Sequence, residues 1–137
     1  MENESRRKFI GNMTKMGLAG TVVPTTKAFS KKSEIKNMFI HHVYFWLKNQ
    51  GSMADKDKLI EGLRKLSKVK TIQQFNIGTP ADTNRDVIER GYALSWFALF
   101  KNPKDQASYQ VDPIHLKFVE DYAHLWEKVI VYDSIDA

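Results

Sequence analysis

The chain has four histidines and no cysteines, so imidazole is its best-suited group for proton transfer near neutral pH. His115 follows Asp112-Pro113, where Asp suits a helix cap and Pro the first helical position. His115 is then expected in the first turn. There the positive end of the helix dipole opposes a second positive charge and keeps the imidazole neutral and able to accept a proton. Asp133, if it reaches a ring nitrogen, would fix the tautomer and stabilise the charged form once made. Tyr109 could donate a hydrogen bond to a developing enolate. Together the three suit proton abstraction beside a carbonyl, followed by aldol-type closure, isomerisation or elimination. The plainer reading is a helix-terminal His bonded to a carbonyl, a core Tyr with its hydroxyl at the surface, and an Asp in a turn.

The other histidines are less informative. His41 and His42 are adjacent on a candidate strand, so at most one of them faces a given cavity. His124 falls on the polar side of its helix. No His-x-His or His-Glu-x-x-His spacing occurs, and the glycines form no phosphate-cradling pattern. No metal and no cofactor is therefore expected. Convergence of His42, His115 and Asp133 would be the one two-His, one-carboxylate exception.

These residues need elements to position them. Met38 to Lys48 is aromatic, β-branched and apolar on both faces, which reads as a strand covered on both sides. Ser52 to Lys68 reads as a helix with a Ser-x-x-Asp start and a stripe of Leu59, Ile60, Leu63 and Leu66. Val69 to Ile77 is a weaker strand, followed by a long Gly-, Pro- and Asp-containing loop. Gly91 to Phe100 is a third strand, again apolar on both faces. Asn102-Pro103 opens a short helix. Asp112-Pro113 opens another, with Ile114, Phe118, Tyr122, Leu125 and Trp126 as its buried stripe. Lys128 to Ser134 is the last strand.

The order is β-α-β-β-α-β, an α+β ferredoxin-like unit. Its helices cover one sheet face. A lone subunit would leave the other face as a large apolar patch, which soluble monomers avoid. A second copy is the simplest cover, so a twofold homodimer closing into an α/β barrel is expected.

The net charge of +5 lies entirely in the first 36 residues, which hold eight basic and three acidic side chains. The remainder, with 13 of each, is formally neutral, so no nucleic-acid partner is indicated. The leader reads Ser5-Arg6-Arg7-Lys8-Phe9-Ile10, then a weakly apolar Gly- and Ala-containing run, then polar sequence. It closely resembles a twin-arginine signal read by a dedicated export machinery. Residues 1–36 are thus expected to be signal and linker, residues 37–137 the folded domain, and the location periplasmic or otherwise exported. No run of 18 or so apolar residues suggests an ordinary membrane span.

His-x-x-x-x-Leu-Lys on the first strand (His42 to Lys48), Tyr-x-x-x-Pro-x-His (Tyr109, Pro113, His115) and the ending Trp126 to Asp133 together resemble the stress-responsive dimeric A/B-barrel family, Dabb. The resemblance spans Met38 to Ser134. It implies dimers of βαββαβ subunits with a cavity in each. In a plant polyketide cyclase of that family, which makes olivetolic acid, a helical His is the base, assisted by a Tyr and a last-strand Asp. The matching positions are His115, Tyr109 and Asp133. His42 matches a cavity-lining His, while Leu94 stands where the cyclase has a further His, so the same polyketide substrate is not implied. Tyr44, Trp46, Trp96 and Trp126 are core aromatics first and candidate ligand-stacking groups second.

Three functions follow from this reading. The first is a cofactor-independent lyase, cyclase or isomerase using His115. The second is a non-enzymatic stress-response dimer that binds a small organic ligand. The third is a cofactor-free or haem-linked monooxygenase of the wider dimeric-barrel group.

Overall fold

The computed structural model describes residues 31–137. Arg6-Arg7 and the rest of the signal motif lie outside the described residues. Among the described residues four strands and three α-helices follow in order: β1 (Phe39–Leu47), α1 (Met53–Leu66), β2 (Gln74–Gly78), β3 (Leu94–Phe100), α2 (Pro103–Val111), α3 (Pro113–Tyr122) and β4 (Trp126–Ser134), with a 3-10 turn at Ala123–Leu125 before the last strand. The sheet order is β2-β3-β1-β4 and every pairing is antiparallel. This is the expected ferredoxin-like α+β fold.

The local reasons match the sequence. Ser52 caps α1 by accepting from the Asp55 N–H at 3.2 Å. Asn102 and Asp112 do the same for α2 and α3, each followed by a proline in the first turn. Leu59 and Leu63 of α1 are fully buried, each stabilising by about 1.5–3 kcal/mol relative to exposure. Along β1, Val43, Phe45 and Leu47 point into this helix-covered core, together with Leu94, Trp96, Ala98 and Phe100 of β3.

Several boundaries differ from expectation. Val69 to Gln73 is not strand: its backbone turns after α1, with Ile72 N–H donating to Val69 O, and Val69 plugs the core. The regular part of β3 begins at Leu94 rather than Gly91, although Ala93 N–H already donates to Phe45 O. The last helix stops at Tyr122, and Trp126 opens β4 opposite Leu47 instead of ending a helical stripe. It still packs on that helix, its ring stacked 5.7 Å from Phe118. Ile114 is 37% exposed rather than buried.

The opposite sheet face carries Ile40, His42, Tyr44 and Trp46 of β1, Phe97 of β3, and Ile130 and Tyr132 of β4. Most of these are half-buried in a single chain, because the rings shelter one another. Tyr44 lies edge-on to Tyr92 at 4.9 Å, and His42 edge-on to Phe97 at 5.4 Å. Phe45, by contrast, is already buried by the chain's own helices.

Candidate active site

The antiparallel pairing of β1 with β4 sets His41 directly opposite Asp133. Directly opposed residues share a sheet face, here the one covered by helices. Asp133 Oδ1 lies 2.6 Å from His41 Nδ1. An ionised carboxylate only accepts, so Nδ1 is assigned the proton and Nε2 of the neutral ring is left as the basic atom. His41 itself is buried.

Tyr109 of α2 joins the two histidines of the site. Its ring centre is 5.5 Å from that of His41 and 4.7 Å from that of His115. The Trp96 indole N–H, which can only donate, reaches Tyr109 Oη at 3.2 Å. The tyrosine oxygen is therefore an acceptor toward Trp96, and its own proton is free for another partner. Burial, aided by the Asp133 charge and opposed by the Trp96 hydrogen bond, raises the Tyr109 pKa far above the ordinary tyrosine range. The phenol stays protonated and remains a donor.

His115 sits in the first turn of α3, as expected. Burial and then the neighbouring His41 lower its pKa, against the pull of the Gln110 backbone and Asp112. The ring is held neutral, as the helix-dipole argument anticipated, but chiefly through desolvation. Its Nδ1 is buried and makes no hydrogen bond of good geometry among the described residues, and the Gln110 backbone is the acceptor that acts on the ring.

The carboxylate is not with the histidine that the sequence suggested. Asp133 bonds His41, while His115 stands on the other side of Tyr109. Beside the carboxylate, Val129 and Val131 occupy the same face of β4 and remain 36% and 46% exposed. Leu116, next to His115, is also exposed. Asp133 thus shares its face of β4 with accessible apolar side chains, while His41 and Tyr109 are themselves buried.

The remaining candidates divide between the two faces of the sheet. Leu94 and Trp96 are fully buried beneath the helices, and Trp96 serves the site by orienting Tyr109. Trp126 packs on Phe45 and Phe118. His42, Tyr44 and Trp46 lie on the opposite face and are not brought to His115. His42 Nδ1 is 3.2 Å from the Tyr44 hydroxyl, and its pKa is lowered by burial and by His41. Tyr44 and Trp46 line a separate cavity of about 410 Å3 with Glu89, Tyr92, Ile130 and Tyr132. His42, His115 and Asp133 therefore do not converge, and no group of three possible ligands is placed to hold a metal ion among the described residues.

The sequence left open which of His41 and His42 faces the site and the resemblance pointed to His42; the register puts His41 there. The parity of His41 with Val43, Phe45 and Leu47 was the available signal, since those residues make the more aliphatic face of β1. Val129 and Val131 gave no signal, because their accessibility depends on where the helices end.

A family model described as the stress responsive A/B barrel domain matches residues 39–136. Among solved structures, a Dabb-family protein with a ferredoxin-like fold from Mesorhizobium loti has a TM-score of 0.62 at 20% identity, covering 73% of this chain and 97% of that one. The hydroxynitrile lyase of Passiflora edulis has a TM-score of 0.61 at 22% identity, covering 75% and 96%. A dimeric ferredoxin-like protein of unknown function from Bacteroides fragilis has a TM-score of 0.58 at 18% identity, covering 75% and 100%. At these identities the likeness concerns the fold. No curated protein matches the chain.

Proposed function

The chain belongs to the stress responsive A/B barrel domain family, and from that premise we propose that it is a cofactor-independent lyase or isomerase acting on a small organic molecule by proton transfer. The observation that carries this reading is the 2.6 Å contact between His41 Nδ1 and Asp133 Oδ1. With Nδ1 protonated, Nε2 of His41 takes a proton from a carbon beside a carbonyl, or from a hydroxyl. Asp133 puts a negative charge beside the ring on which positive charge develops. Tyr109 donates its free hydroxyl proton to the oxygen that gains charge. His115, held neutral on the other side of the Tyr109 ring, is the second imidazole able to take up or return a proton. The Passiflora lyase shares the fold, which fits elimination chemistry of this kind on the scaffold.

The active form in this proposal is a homodimer whose half-exposed aromatic sheet faces shelter each other, as suits a fold shared with a dimeric relative. The Arg6-Arg7-Lys8-Phe9-Ile10 motif supports export through a twin-arginine pathway to the periplasm. N-terminal sequencing of the protein from its host should find that motif removed or held at the membrane.

The chemistry is tested without knowing the substrate. Exchange of solvent deuterium into the α-positions of simple enolisable ketones, followed by NMR, should be faster with the wild type than with His41→Ala. Equal rates for both would remove the base and leave the ligand-binding reading.

A further inference from the structure

We propose that the groove between α1 and α3 is a second binding site, one that takes a carboxylate with an apolar tail, of the medium-chain fatty-acid class. The groove encloses about 670 Å3, and none of His41, Tyr109, His115 or Asp133 lines it. That volume is in the range of small-molecule sites.

The floor is apolar and depends on one glycine. Phe118 and Tyr122 stack at 5.6 Å between ring centres, and Ile114 adds exposed aliphatic surface. Gly62 of α1 faces the Tyr122 ring so closely that a Cβ there would lie 2.7 Å from it. Only a residue without a side chain allows the ring to lie against the helix.

The rim has a sign. Its acidic groups are largely engaged: Asp121 by Lys117 at 3.1 Å, and Glu61 by Lys58 and the Tyr122 hydroxyl, each at 3.4 Å. At the C-terminal end of α1, Arg64 and Lys68 line the groove with no carboxylate in ion-pair range among the described residues. Lys65 lies over the Tyr122 ring at 5.7 Å, its charge shared with Glu61 and Asp121, so Arg64 and Lys68 are the cations left to a ligand. Asp57, the remaining acid, lies about two turns away from Arg64 along α1. An apolar trough with cations gathered at one end complements an anionic head on an apolar tail, and repels a cationic one.

The test uses the isotope-labelled full-length protein, titrated with sodium dodecanoate below its micelle concentration and, separately, with dodecyltrimethylammonium. Dodecanoate should move the amide resonances of Gly62, Ile114 and Tyr122 and bind at least tenfold tighter than the cation. The double variant Arg64→Glu/Lys68→Glu, altered only at exposed positions, should keep its melting temperature and lose at least tenfold in dodecanoate affinity. Equal binding of the two amphiphiles overturns the proposal without need of a variant. So does a shift pattern centred on His115 and Asp133, or association with anionic lipid vesicles but not with free dodecanoate.

Discussion

Asp133 on β4 grips Nδ1 of His41, its direct cross-strand neighbour, at 2.6 Å, rather than the ring of His115. The pair should therefore behave as one unit. His41→Ala is expected to lower the deuterium-exchange rate by about a hundred- to ten-thousand-fold, the usual worth of a placed general base. Asp133→Asn should lower it as well, because an amide can present N–H to Nδ1 and reverse the tautomer. The Asp133 side chain is 41% exposed, so the stability lost should stay below about 1 kcal/mol. A fall in activity without a fall in melting temperature is the expected signature. A full-rate Asp133→Asn variant would sink the tautomer argument.

Tyr109→Phe should cost both activity and stability. It removes the hydroxyl of the ring that packs on both imidazoles, and it strands the buried Trp96 indole N–H. An unsatisfied buried donor costs about 1–3 kcal/mol. Thermal unfolding of Tyr109→Phe should show that loss, and the same change should cost less when made on a Trp96→Phe background, which already lacks the indole donor. Equal costs in the two backgrounds would mean that the hydrogen bond carries none of the penalty.

Acid should destabilise the fold through two half-buried histidines. Burial lowers the pKa of His115 and of His42 below the ordinary histidine value of 6.5. As pH falls through 6.5 the unfolded chain takes up protons at these two sites while the folded chain resists. Stability is then fully present above the unfolded pKa and is lost as pH drops toward the folded values. Urea unfolding between pH 7.5 and 5 should show a declining midpoint, and His115→Gln should flatten the decline. A midpoint that rises on acidification would contradict the buried, neutral state of both rings.

Gly62→Ala sets two effects of opposite sign against each other. Replacing a mid-helix glycine by alanine normally stabilises by about 1 kcal/mol. Here the added Cβ would meet the Tyr122 ring at 2.7 Å, and that ring is held by its stack on Phe118. Overpacking of this kind costs about 1–3 kcal/mol, so net destabilisation is expected by calorimetry. A higher melting temperature would mean that Tyr122 moves aside freely.

The fold was legible in the sequence because its signals are local. Ser52, Asn102-Pro103 and Asp112-Pro113 mark helix starts by their own chemistry, and alternation along β1 marks its faces. Tyr109, His115 and Asp133 were legible as residues with chemistry, but their partnering was not. Which histidine Asp133 meets depends on the register of β4 against β1, a relation between segments 92 residues apart. His41 and His42 look alike in sequence, and one step along the strand moves a side chain through the sheet. The end of α3 was misplaced because Leu125 and Trp126 continue its apolar spacing, while the structure uses a 3-10 turn to feed Trp126 into the sheet.

The open sheet face yields the prediction on which quaternary structure turns. Tyr132 is 64% exposed on β4, 6.1 Å from Tyr44, and lines one cavity with it and with Trp46, Glu89, Tyr92 and Ile130. If two such faces meet about a twofold axis, each substitution enters the interface twice. Tyr132→Glu would bring two carboxylates into an apolar contact, where unpaired charge is costly. The dimer dissociation constant should rise at least a hundredfold, or about 2.7 kcal/mol. The monomer fold should survive, because Tyr132 makes no part of the helix-covered core. Sedimentation velocity at micromolar concentration should therefore give a dimer for the wild type and a monomer for the variant, with matching circular dichroism. A wild type that sediments as a monomer, or a variant that stays dimeric, would place the subunit contact elsewhere and leave the aromatic face as surface.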